Sequence, residues 1–426
     1  EWHEHLLPSS AATAIQKAFD EKVESGKKAI ADFIVEADRQ VRTSRPAKPS
    51  PGDDSQPENL EPQYPPEAKA KLKTLRDDLA ALQKEGPDLP AAMGVTEDKV
   101  VDIAVHLRGD PLTLGDVVPR RTPTVLKGAQ LPTMTDKESG RRQLAEWLVD
   151  SQNPLTARVI VNRIWGWHFG QGIVRSTDNL GLLGEAPSHP MLLDWLARRF
   201  IEDGWSMKSL HRRILLSNTW QQSATVSPLS LRSDPENRLF SRAAIRRLEA
   251  EAVRDSLLFV SGRLDETMGG SLLTLKNRAY FFDHTSIDKT TYDSPRRSLY
   301  LPVVRNNVYD VFQLLDFPDP AVSSGNRSTT VVASQALLML NSDLVMESAS
   351  ELARRLLAEA GSDNERLARL YRLAFGREPT ERERTADREF LAKLTPAGKQ
   401  NETQRREAWA ALCHVTLAAN EFIYVR

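Results

Sequence analysis

The stretch NRIWGWHFGQGIV, residues 162–174, gathers two Trp, a His and a Phe between positions 165 and 169. His168 could ligate a metal or a haem iron, or move a proton. Arg163 and Trp165 could hold a ligand beside it. A His ligand needs partners, and no H-x-x-x-H or H-E-x-x-H spacing supplies one on the same helix. Trp165 and Trp167 would point about 200° apart on a continuing helix, so they cannot line one pocket together. Gly166 weakens the helix and Gly170 is placed to end it. The plainer alternative to a cofactor or catalytic site is a packed aromatic corner.

A second set is Asp178, Glu185 and His189, in a loop that enters a helix. Two carboxylates and an imidazole could serve as an acid–base set for glycoside chemistry. Spacing inside a loop fixes no distance, and turn and capping chemistry explain the same residues. At the first turn of a helix the dipole would disfavour charged His189. A third set is cationic. Arginine far outnumbers lysine between 141 and 255, which favours bidentate carboxylate pairs. Arg246, Arg247, Glu249, Glu251, Arg254 and Asp255 read as an ionic ladder on one helix. The alternative is an anion pocket for sulfated or uronic sugars, joined by Arg297, Arg305 and Arg327. Fourth, GNRSTTVVASQALLMLN places Arg327, Thr329, Thr330 and Gln335 around a helix entry, where backbone N–H groups can hold an anion. Its rival is Ser or Thr capping of a helix starting near Ser334. Six of the eight Trp lie between Trp147 and Trp220, as a sugar-stacking platform or as core.

Composition removes several chemistries. The single cysteine excludes an internal disulfide, a four-cysteine metal site and haem attachment through C-x-x-C-H. Cys413 sits in an apolar helical pattern and reads as a buried thiol. No metal site is assigned. Gly-rich phosphate loops and G-x-S-x-G are absent. Net charge is −1 over 426 residues, so no field favours nucleic acid. Apolar runs fall short of the roughly 20 residues of a membrane span. The chain starts at Glu1 without a Met and reads as a fragment or processed product, so a missing signal peptide says little about compartment.

Periodicity supplies the elements that must position these residues. Residues 1–42 and 67–85 read as helices, the second with a leucine stripe at 72, 75, 79 and 82. Between them, 43–66 is a Pro-rich flexible loop. Short strands are expected near 100–120 and 296–305. The tripeptide RGD at 108–110 reads as a charged turn rather than an adhesion motif. Helices are expected over most of 139–260, from Ser caps at Ser139, Ser188 and Ser206 to glycine stops at Gly204 and Gly262. More follow over 334–358, 363–395 and 401–424. The fold class is therefore mainly α, a multi-helix domain with a small β element and long irregular loops. Residues 1–95 form a helical hairpin and linker region joining an upstream domain, and 96–426 a helical domain.

Residues 105–395 resemble a known family. Its text here is NPLTARVIVNRIWGWHFGQGIVRSTDNLGLLGEAPSHPMLLDWLARRFIEDGW, then DPENRLFSRAAIRRLEAEAVRDSLLFVSGRLDETMGG, RRSLYLPVVRN, LLDFPDP, NRSTTVVASQALLMLN and FGREPTERE, in that order. The resemblance is to the planctomycete cytochrome C-associated domain of unknown function, family fifteen fifty-three. Ser334 stands where that family more often has Pro. The resemblance implies an exported protein of the periplasm or cell envelope. It also implies a cytochrome c domain or other redox partner, with any c-type haem in an upstream domain or partner and none in this chain. It names no reaction. Two readings remain: a non-catalytic accessory or interaction domain of a cytochrome-linked assembly serving polysaccharide breakdown, or a glycan-active enzyme using the 178–194 and 297–341 loops. An enzyme should bring Asp178 or Glu185, a His and some of Arg297, Arg305 and Arg327 into one cleft.

Overall fold

The computed structural model describes residues 3–6, 10–43, 60–89, 91–126, 134–135, 137–270, 272–273, 291–359, 361–395 and 401–425. It divides the chain into two compact units, 1–119 with 134–139, and 120–133 with 140–426. Among the described residues there are fifteen α-helices and three two-stranded sheets, so the fold is mainly α.

The first unit contains β1 (His3–Leu6), α1 (Ser10–Thr43), α2 (Pro66–Lys84), β2 (Ala91–Gly94), β3 (Ile103–His106) and β4 (Leu114–Val118). The two helices form a hairpin. Leu72 is buried, with Leu75, Leu79 and Leu82 half-buried, as the leucine stripe requires. Its core adds Ala37, Val41, Leu60 and Tyr64. The Tyr64 hydroxyl donates to Asp38, and burial with that carboxylate pushes its pKa up to about 12. Residues 3–6 depart from the expected helix: they pair antiparallel with β2. A strand is fixed by a partner that is remote in sequence, which local periodicity cannot report. Of the Pro-rich stretch, 44–59 lies outside the described residues and Glu61–Gln63 is a 3-10 turn. RGD is a turn of the β3–β4 hairpin, with Arg108 at φ +54° and Asp110 accepting from Leu112 N–H and Thr113 Oγ1.

The second unit begins with α3 (Arg141–Leu148), α4 (Thr156–Phe169), α5 (Pro190–Glu202), α6 (Met207–Leu215), α7 (Pro228–Ser233), β5 (Arg246–Arg247) and α8 (Ala250–Ser261). It continues with α9 (Asp310–Leu314), α10 (Ala333–Asn341), α11 (Asp343–Ala358), α12 (Asp363–Phe375), α13 (Glu381–Leu394), α14 (Glu402–Leu417), α15 (Asn420–Ile423) and β6 (Tyr424–Val425). Two apolar clusters organise it. The first buries Val161 and Ile164 of α4 against Leu193, Leu196 and Phe200 of α5 and Leu210 of α6. Asn162 is buried there. Its side chain accepts from Val174 N–H at 2.8 Å and donates to Val174 O at 2.9 Å, pinning the returning chain to α4. Only glycine fits at 172, because a Cβ would lie 2.6 Å from Val174 O.

The second cluster surrounds α11, whose Leu352, Ala353 and Leu356 are fully buried against α8 and against Trp409, Cys413 and Leu417 of α14. Each large side chain so buried contributes roughly 1.5–3 kcal/mol. The Cys413 thiol is fully buried, which pushes its pKa far up. Capping boxes at Ser362/Glu365 and Thr380/Glu383 start α12 and α13. Ser206 caps α6 as expected. Ser139 and Ser188 do not cap: Gly140 and His189 hold those positions, and Ser188 Oγ donates to Ile173 O instead.

The strand expected near 296–305 is not formed. Arg296 makes one parallel bridge with Asp265, and Ser298–Tyr300 is a 3-10 turn. Bonds from α8 hold the segment: Asp255 accepts from Ser298 N–H and Oγ, and Arg254 donates to Arg296 O. No helix among the described residues is long and apolar enough to cross a membrane.

Candidate functional site

The opening stretch forms the end of α4. Trp165 is 5% exposed and stacks on Phe169 at 4.3 Å, with Phe240 at its edge. Its indole N–H has no acceptor among the described residues. Gly170 ends the helix at φ +82°. His168 shares a 2.7 Å hydrogen bond with His211 of α6 and meets Trp220 edge-on. Burial, with His211 and Arg246 adding to it, holds the His168 pKa below the usual imidazole range. This is a packed aromatic corner, and Trp165 presents no face to a ligand.

The carboxylates disperse. Glu185 accepts from Arg238 at 2.8 Å. His189 Nδ1 lies 3.0 Å from Ser188 Oγ. Asp178 accepts the Gly325 N–H at 2.9 Å, with Arg163 at 3.6 Å. A Cβ at 325 would lie 2.0 Å from the Asp178 carboxylate, so this approach requires glycine.

The loop around Arg327 does assemble a polar cluster, around a residue the sequence did not single out. Asp316 accepts from Thr330 N–H and Thr330 Oγ1 at 2.7 Å each, from Arg247 at 2.7 Å, and from Gln335 at 3.2 Å. The Arg247 side chain is 4% exposed and that of Asp316 14%. Burial opposes ionisation of Asp316, yet the bonds from Thr330 and Arg247 outweigh it and hold its carboxyl below the usual range. Beside this hub, Arg327 forks onto Glu251 at 2.7 and 2.9 Å, reaches Glu249 at 3.3 Å and lies over Phe317. Thr329 is exposed and makes no hydrogen bond among the described residues. The ionic ladder expected on one helix is therefore corrected. Helix α8 starts at Ala250, so Arg247 precedes it and Arg247 and Glu251 take partners from the 316–330 loop. These bonds latch that loop to the start of α8, with only the buried Arg247 Nε of the hub left without an acceptor among the described residues.

A cleft of about 800 Å³ opens elsewhere in the second unit. Its walls come from α8, the end of α12, and β6, with Phe259, Phe375, Phe422 and Tyr424 among its lining. On α8 the spacing explains it: Val253 and Leu257 face the core, whereas Ala252, Ser256 and Phe259 face the cleft and Val260 touches both. Of the candidate residues only Arg297 lines it. Arg296 and Ser298 are buried and pinned, so the residue between them turns outward. Arg297 and Arg305 are exposed, and their side chains make no hydrogen bond or ion pair among the described residues. Sequence reasoning missed this cleft, because elements near 250, 297, 375 and 424 build it and no local spacing links them.

No three His, Cys, Asp or Glu side chains among the described residues are grouped to hold a metal. Covalent c-type haem needs two thiols and a following His, and one fully buried cysteine does not fit it.

Residues 140–391, more than half of the chain, match the family described as PSD1, a protein of unknown function (DUF1553). No curated protein and no solved structure matches the chain.

Proposed function

The chain belongs to the PSD1 family of unknown function, and from that premise we propose that its second unit is a non-catalytic binding module. Its site would be the cleft lined by α8, α12 and β6. One observation carries this reading. Asp178, Glu185, His168, His189 and Arg327 are each committed to a different structural partner, while the Arg297 side chain lines the cleft without an ion-pair partner among the described residues. A cleft that sets uncommitted polar groups beside aromatic and aliphatic side chains is a usual form of a binding site. In this reading the module serves an exported, cytochrome-linked assembly engaged in polysaccharide breakdown, and any c-type haem belongs to an upstream domain or partner. The resemblance read from the sequence supports that setting.

The competing reading is a glycan-active enzyme. The test is product analysis by mass spectrometry after incubating the purified chain with neutral, sulfated and uronic oligosaccharides, with and without divalent metals. We expect no turnover, and no effect of Glu185→Gln or Asp178→Asn beyond stability. Turnover that a folded Glu185→Gln variant loses would establish the enzyme instead.

A further inference from the structure

The cleft has a charge pattern that narrows its occupant. Asp265 and Arg296 form an isolated parallel bridge, and the residues that follow them, Glu266 and Arg297, both line the cleft. Both are exposed, and neither side chain makes an ion pair or hydrogen bond among the described residues. The other acids in the lining are matched within the protein. Asp255 accepts from Ser298 and lies 3.5 Å from Arg254, and Glu421 accepts from Arg377 at 2.8 Å. Arg297 is thus the cation left for a ligand. Below it the wall is aromatic and aliphatic, and Phe259 is 54% exposed. Sugar rings need several hydrogen-bonding side chains besides a stacking face. Here the uncommitted polar side chains reduce to Ser256, Glu266, Arg297 and Tyr424.

We propose that the cleft binds an extended peptide segment of a partner protein, carrying one large apolar side chain next to a single acidic residue. The apolar side chain enters between Phe259 and Phe375. The acid forks onto the Arg297 guanidinium, the geometry arginine is built for. Glu266 repels a second acid, which limits the motif to one. This inference rests on the cleft being the binding site.

Fluorescence anisotropy with the full chain tests it, using fluorescein-labelled Gly-Ser-Leu-Phe-Glu-Ser-Gly and two counterparts, one with Lys for Glu and one with Ser for both Leu and Phe. The Glu peptide should bind at least about tenfold more tightly than either counterpart. Arg297→Glu, on the exposed rim, should reverse the Glu-over-Lys preference and leave the thermal unfolding midpoint unchanged. Ala252→Trp, which fills the cleft, should weaken the Glu peptide about tenfold or more. Equal binding of the three peptides, no binding, or a preference indifferent to Arg297→Glu overturns the inference. An oligosaccharide that raises the unfolding midpoint of the wild type but not of Ala252→Trp overturns the peptide assignment and keeps the cleft as the site. Ligand binding of either class that ignores both variants overturns the cleft itself.

Discussion

Asp316→Asn is the sharpest probe of the latch between the 316–330 loop and α8. Asparagine keeps the shape and tolerates the left-handed backbone at this position, φ +62°. It removes the charge facing Arg247 and turns an amide N–H₂ toward a set of donors. Four donated bonds depend on that carboxylate: two from Thr330, one from Arg247 and one from Gln335. Breaking a buried pair by neutralising one partner costs about 3–5 kcal/mol, because the other charge stays desolvated. Arg247 is the more buried partner, and one amide oxygen can still accept two bonds, so we expect about 3 kcal/mol. Urea unfolding followed by Trp fluorescence reads it out, since every Trp except Trp2 lies in residues 140–426. The sign with pH is fixed. A carboxyl with a lowered folded pKa stabilises above its unfolded value of about 3.9 and loses that contribution as pH falls through the folded value. The deficit of the variant should therefore be full at pH 7 and shrink under acid conditions. A loss below about 1 kcal/mol at pH 7, the size of one ordinary hydrogen bond, would refute the hub.

Three further outcomes follow from the same contacts. Gly325→Ala should push aside the Asp178 carboxylate, the free end of an exposed side chain, and so cost about 1 kcal/mol or less in urea unfolding, the worth of the Gly325 N–H bond it breaks; a loss of several kcal/mol would mean that Asp178 cannot move. The lowered pKa of His168 means that stability declines as pH falls below about 6.5, where the unfolded chain takes up the proton first. His168→Phe should flatten that slope in thermal melts between pH 7 and 5, and an unchanged slope would remove His168 as its source. Native Cys413 should not react with a thiol-specific disulfide reagent until urea unfolds the second unit, so reaction at the native rate of a free thiol would contradict its burial.

Much of the helical frame was legible because its signals are local. The Ser206 cap, the Gly170 and Gly262 stops and the periodicity around Cys413 all act within a few residues, and the structure uses each. The aromatic corner was legible for the same reason, since Trp165 and Phe169 are one turn apart. Long-range pairings left no such trace. β1 depends on β2, and Arg247 takes its partner from across 69 residues of sequence. In the sequence LLDFPDP stands only as family text, and only the folded loop reveals that its Asp316 is the acceptor for Thr330, Arg247 and Gln335. Arg297 was visible as a candidate cation. Its surroundings were not, because the cleft draws its walls from α8, α12 and β6.

The most direct measurement is hydrogen–deuterium exchange of the full chain with and without whichever of the peptides and oligosaccharides raises its unfolding midpoint. Protection confined to residues 252–266, 297, 371–375 and 421–425 is the outcome expected of a binding module that works through the cleft. Protection centred on 178–189 and 325–335 instead, or none with any member of the panel, would contradict it.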